Sequence, residues 1–176
     1  MYLSVFDIFK VGVGPSSSHT MGPMLAANQF IAKIRANLKN KPDEFPVTSV
    51  QCILYGSLAL TGKGHATDRA VIIGLNGIEP ATLDLEIANE TETRVHEQKE
   101  LRNPELPTLK FDPETDLIFD FGPPKKQHAN AIEFKALDEK GKCLLKEIYF
   151  SIGGGFIATA AQLKTEKSNI QASRKH

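Results

Sequence analysis

The sequence predicts an α+β domain of two layers, with helices packed on one face of a mixed β-sheet in the order helix, strand, helix, strand, strand, strand. Three observations predict it. A helical apolar stripe over 22–38 leads into one alternating strand at 47–55. A second helical stretch follows at 57–75. The remaining strands then come as a run, where a parallel α/β sheet would interleave them with helices.

In chain order, residues 1–11 are an apolar lead-in, ended by Gly12-Val13-Gly14-Pro15 and the polar run Ser16-Ser17-Ser18-His19-Thr20. Met24, Ala27, Ile31, Ile34 and Leu38 then repeat at three- and four-residue steps, with Lys33, Arg35 and Lys39 off the stripe. Pro23 belongs to the first turn of that helix. Val50, Cys52 and Leu54 alternate with more polar neighbours as in a half-covered strand, which Gly56 ends. The stretch 57–75 falls into two helical pieces around the glycines of Thr61-Gly62-Lys63-Gly64-His65 and closes at Asn76-Gly77. Residues 84–101 read as a loose helix or a loop, and the proline-bearing 103–113 as a connection or short edge strand. Strands are expected at 116–121, 131–137 and 143–151, the last two joined by Asp138-Glu139-Lys140-Gly141. Gly153-Gly154-Gly155 is expected to break the sheet. Residues 1–161 would be the folded domain, and 162–176, with few apolar side chains, a flexible tail or linker.

Bulk properties narrow the function classes. The 176 residues suffice for one domain with its own core. Lys plus Arg number 21, as do Asp plus Glu, so the basic excess of a nucleic-acid binder is missing and no such partner is expected. No apolar run reaches the length of a membrane span, and the N-terminus does not resemble a signal peptide, so the expected location is the cytoplasm. Cys52 and Cys143 stand alone, which implies neither a disulfide framework nor a cysteine-pair zinc site. Nor can two thiols hold an iron–sulfur cluster, which takes four thiolates. No metal ligands are expected within this chain.

Chemistry-bearing residues gather at three places. Ser16, Ser17, Ser18, His19 and Thr20 stand at the mouth of a helix, where hydroxyls and unpaired N–H groups suit a small carboxylate. The plainer reading is a single serine cap on a decorated loop, yet a cap needs one hydroxyl, not three in a row beside a histidine. In Gly56-Ser-Leu-Ala-Leu-Thr-Gly-Lys-Gly-His-Ala-Thr-Asp68, Gly62 and Gly64 would let the backbone approach a ligand closely or turn sharply. His65 would be oriented by Asp68, three residues on, if both lay on one turn. A helix break with a solvated histidine would look the same. The segment lacks the glycine and hydroxyl spacing of a phosphate loop, so a nucleotide site is rejected. His128 and Asn130 open a strand and carry a weaker signal, and His96 falls in a solvated, charged stretch.

Together, SVFDIFKVGVGPSSSHTMGPM, YGSLALTGKGHATD, HAN and YFSIGGGF, in that order over 4–156, closely resemble the β domain of bacterial L-serine dehydratases of the iron–sulfur (type 2) kind. The first two blocks are long and specific. The resemblance implies a lyase that converts L-serine to pyruvate and ammonia, with a 4Fe–4S cluster held by a separate α domain. It implies a fold similar to the allosteric substrate-binding domain of phosphoglycerate dehydrogenase. It also implies that L-serine, the α domain and a second copy in a homodimer are the partners, and that this chain alone is inactive. His65 is then expected as the base at Cα, with Asp68 behind it. Ser16, Ser17, Ser18, His19, Thr20, Lys63 and Gly64 would hold substrate, with His128 and Asn130 as ligands or as residues fixing the base. A rival reading makes the chain a serine-sensing regulatory domain, and a third a purely structural dimerisation domain; the polar density at 16–20 and 62–68 weakens the third.

Overall fold

A computed structural model describes residues 16–174. The lead-in and Gly12 to Pro15 lie outside the described residues. The described chain enters through a π-helical turn, Ser17–Met21, that runs into helix α1, Gly22–Asn40. Met24, Ala27, Ile31 and Ile34 of the expected stripe are buried, joined by Ala26 and Phe30. Strand β1, Ser49–Leu54, follows with Val50, Cys52 and Leu54 inward. Helices α2, Ser57–Thr61, and α3, Thr67–Leu75, are the two expected pieces.

Helix α4, Leu85–Gln98, resolves the ambiguity over 84–101. Asp84 caps it by accepting from the N–H groups of Glu86 and Ile87 at 2.9 and 3.2 Å. Only Ala88, Thr91 and Val95 are buried on it. That stripe is too narrow to stand out among the surrounding glutamates and threonines.

Short strands β2, Glu100–Leu101, and β3, Leu109–Lys110, precede β4, Leu117–Phe119, β5, Ala131–Leu137, and β6, Cys143–Gly153. Strand β7, Phe156–Thr159, is unexpected. Gly153, Gly154 and Gly155 do not break the sheet. All three hold positive φ, at 94°, 63° and 78°, a region open to glycine at little cost, and so reverse the chain from β6 into β7.

The sheet is seven-stranded and mixed. Its order is β2-β3-β1-β5-β6-β7, with β4 also on β1. Strand β1 runs parallel to β3 and β4 and antiparallel to β5, with Cys52 opposite Phe134. The fold class is therefore the expected α+β, with more elements than the expected order contains. One main core joins Phe30, Ile31 and Ile34 of α1, Val71 and Leu75 of α3, and Leu54, Phe134 and Tyr149 of the sheet. Cys52 and Cys143 are both free, the first buried and the second exposed. No helix among the described residues is long and apolar enough to cross a membrane.

A capping box between Thr159 and Gln162 starts helix α5, Ala160–Ser173, which takes in most of the stretch read as a flexible tail or linker. None of its residues is buried.

Candidate functional site

The serine run folds into the π-helical turn, a rare form that concentrates at functional sites. Ser16 caps it, its Oγ accepting from the His19 N–H at 3.3 Å and lying 3.2 Å from Ser18 Oγ. Buried Ser151, on β6, donates from its hydroxyl to the Ser18 carbonyl at 2.6 Å and pins the turn to the sheet. Gly22 makes that approach feasible. A Cβ there would stand 2.1 Å from Ser151 Oγ.

The His19 ring is held at both nitrogens, with Ser18 Oγ 2.7 Å from Nδ1 and Ser57 Oγ 2.9 Å from Nε2. Next to it lies the ring of His65, with centroids 4.8 Å apart and planes at 47°. Burial, and then the charge of His65, press the His19 pKa below its ordinary value, while the hydrogen bond at Ser57 offsets part of this. That shift favours the neutral imidazole of His19. The His65 Nδ1 atom is buried and has no hydrogen-bond partner among the described residues.

Threonine hydroxyls bring these two segments together. Thr20 Oγ1 donates to the His65 carbonyl at 2.8 Å, and Thr67 Oγ1 donates to the His19 carbonyl. Thr20 is fully buried and its hydroxyl is committed to that carbonyl, so it braces the site where the sequence suggested a substrate contact. The 128–130 segment joins from the sheet. Ser57 N–H donates to the Ala129 carbonyl at 3.0 Å, Ser151 N–H to the Asn130 carbonyl at 2.9 Å, and Asn130 Nδ2 to the Ser151 carbonyl at 3.3 Å. His128 Nδ1 accepts from Asn130 N–H at 3.0 Å.

One expectation fails on geometry. Asp68 does not orient His65. Ala66 holds a left-handed conformation, φ 55° and ψ 35°, and α3 starts only at Thr67, so the two residues share no helical turn. The Asp68 carboxylate accepts instead from the Arg69 N–H at 2.9 Å. Lys63 and Asp68 both line a neighbouring cleft of about 350 Å³ with His96, Glu114 and Phe119, and the Lys63 ammonium lies 5.4 Å from the Phe119 ring centre. Gly64 is exposed, and a Cβ there would meet only the Thr61 carbonyl, at an ordinary 3.5 Å. Gly62 is the tight position, 2.1 Å from the Leu58 carbonyl.

The structure therefore brings Ser16, Ser18, His19, Thr20 and His65 into one cluster, with Asn130 joined to its edge through Ser151 and His128 bonded only to Asn130. Sequence reasoning missed Ser57, Thr67 and Ser151. Among the described residues no group of three or more His, Cys, Asp or Glu side chains could hold a metal ion.

A family model described as serine dehydratase beta chain matches residues 4–162. The chain is 44% identical over 160 residues to an L-serine dehydratase of Helicobacter pylori, covering 91% of this chain and 34% of that protein. Against the L-serine dehydratase of Haemophilus influenzae it is 43% identical over 171 residues, 96% of this chain and 36% of the relative. Against L-serine dehydratase 1 of Escherichia coli it is 39% identical over 168 residues, 95% and 36% respectively. The chain thus spans about a third of the length of the curated relatives it matches. The family match begins before the serine turn and ends beyond β7, taking in every residue of the histidine cluster, and the chain belongs to the serine dehydratase beta chain family.

Proposed function

We propose that this chain is the proton-handling portion of an L-serine dehydratase, an L-serine ammonia-lyase that yields pyruvate and ammonia. The observation that carries the reading is the His19–His65 pair, set against the hydroxyls of the serine turn. Eliminating water from serine removes the Cα proton and the β-hydroxyl. The resulting 2-aminoacrylate tautomerises to an imine, which water hydrolyses to pyruvate and ammonia. A neutral imidazole suits the first proton transfer. His65 takes that proton in our reading, since its ring makes no hydrogen bond to another described residue and Thr20 holds its backbone. Ser16, Ser17 and Ser18 are only half-buried and hold the substrate carboxylate, with Asn130 and His128 at the rim.

The family resemblance implies a 4Fe–4S cluster. The residues of this chain do not make its ligand set: Cys52 is buried in β1, Cys143 is exposed at the start of β6, and four thiolates are needed. We therefore assign the cluster to an α portion outside this chain and route no step through it here. The same reading carries L-serine as ligand, the α portion and a second copy as partners, and the cytoplasm as location.

The test is His65→Ala in the full-length enzyme. Turnover should fall by about 100-fold or more, the usual contribution of a general base. Near-normal turnover with an intact cluster would remove His65 from this role. Calorimetry of the 176-residue chain with L-serine separates the sensor reading, because clear binding without the α portion favours a sensor.

A further inference from the structure

Ser57 occupies the first position of α2, and the Oγ···Nε2 contact with His19 is its hydroxyl's sole hydrogen bond among the described residues. Ser18 holds the opposite nitrogen. A neutral imidazole has one N–H and one lone pair, so one of these hydroxyls donates to the ring and the other accepts from it. Neither partner alone fixes the ring: with one bond left, the imidazole can pivot about it or exchange tautomers.

The seat of Ser57 is itself rigid. Gly56 before it holds φ 55° and ψ −127°, and a Cβ there would come within 2.2 Å of the Ala129 carbonyl. The Ser57 N–H donates to that same carbonyl, and the Ser57 carbonyl accepts from Thr61 Oγ1 at 2.8 Å. The hydroxyl is thus presented to His19 from a backbone locked on both sides.

We propose that Ser57 is a positioning residue that fixes the ring plane and tautomer of His19, and so the face that His19 turns toward His65. Its relevance to turnover rests on the reading of that histidine pair as the proton-handling site.

Long-range nitrogen NMR on the histidine-labelled chain reads the tautomer directly, for the wild type, Ser57→Ala and Ser57→Thr. At pH 7.5 the wild type should give one dominant neutral pattern at His19. Ser57→Ala should give the averaged pattern of two exchanging tautomers, and Ser57→Thr, which keeps the hydroxyl, should restore the single one. If Ser57→Ala fails to fold, Ser57→Cys preserves the volume with a much weaker partner and should show the same averaging. An unchanged His19 pattern in a folded Ser57→Ala or Ser57→Cys chain overturns the proposal. In the full-length enzyme, Ser57→Ala should lower kcat by about 100-fold, the size of a small misplacement of a reacting group, with KM little changed and Ser57→Thr recovering most of the loss. An averaged tautomer with unchanged turnover would uphold the positioning and overturn the reading of the pair.

Discussion

The imidazoles of His19 and His65 lie 4.8 Å apart between centroids, although 46 positions separate them in numbering, and the backbone of each is held by a threonine within two residues of the other. Thr20, beside His19, bonds the His65 carbonyl, and Thr67, two residues after His65, bonds the His19 carbonyl. The crossed pair of bonds makes the ring-to-ring distance a property of the backbone. The two rings are therefore held together by contacts made within the fold itself.

The first consequence is a pH dependence of stability. The folded-state pKa of His19 lies below the ordinary 6.5, through burial and the charge of His65. Between the folded value and 6.5 the unfolded chain binds more protons than the folded one, so stability rises with pH across that window. The contribution is complete above 6.5 and is lost as pH falls through the folded value. Urea unfolding at pH 5 and pH 7.5 should show a smaller pH-dependent loss for His19→Gln than for the wild type. His65→Gln should raise the titration midpoint of His19, because it removes the neighbouring charge. Equal pH slopes for the wild type and His19→Gln would refute the assignment.

Gly22 supplies a second test. Replacing a helical glycine by alanine ordinarily stabilises, since φ at Gly22 is an unremarkable −57°. Here the new Cβ would meet Ser151 Oγ at 2.1 Å, so Gly22→Ala should destabilise by about 1–3 kcal/mol, the range for an overpacked core. Ser151→Ala alone leaves the half-buried Ser18 carbonyl without its hydroxyl donor and should cost about 1 kcal/mol. In the double variant the offending Oγ is gone, so the two costs should sum to more than the combined effect. Simple additivity in denaturant unfolding would mean that Ser151 does not confine Gly22.

How far the sequence disclosed this arrangement depends on the range of each interaction. Helix α1 and β1 were legible because their burial is periodic in neighbouring residues: Val50, Cys52 and Leu54 alternate, and Met24, Ala27, Ile31 and Ile34 repeat at helical steps. The serine run and His65 were legible as candidates because hydroxyls and a histidine crowd together at helix starts. Ser57, Thr67 and Ser151 carry no comparable local signature. They matter through contacts that span 38, 48 and 133 positions. Asp68 was misassigned for the converse reason. A three-residue spacing implies contact only on a continuous helix, and the left-handed Ala66 interrupts this one. Strand β7 was hidden because a run of glycines reads equally as a break or as a reversal.

That correction to Asp68 is testable. Its carboxylate sits in the first turn of α3, where a negative charge favours the helix by about 0.3–1 kcal/mol. Asp68→Asn should cost no more than that in unfolding experiments and should leave the ring resonances of His65 in place. In the full-length enzyme its effect on kcat should be much smaller than that of His65→Ala. A shift of the His65 resonances in the isolated chain would show that the carboxylate and the ring communicate after all.

Helix α5 gives the last prediction. Its 14 residues bury nothing fully, although Ala161 and Thr165 border an apolar groove with Ile152 and Phe156. A helix of that length is marginal in water without tertiary support, so its persistence leans on the Thr159–Gln162 capping box. Thr159→Ala should cost about 0.5–2 kcal/mol of local helix stability, enough to unravel α5, while the global unfolding midpoint barely moves. Native-state hydrogen exchange separates the two scales. Amides of α5 should exchange through local opening, orders of magnitude faster than the core amides of α1 around Phe30 and Ile31, and should accelerate further in Thr159→Ala. Amides in α5 as slow as those of α1, or a global midpoint that drops with the cap, would show that this helix belongs to the cooperative core.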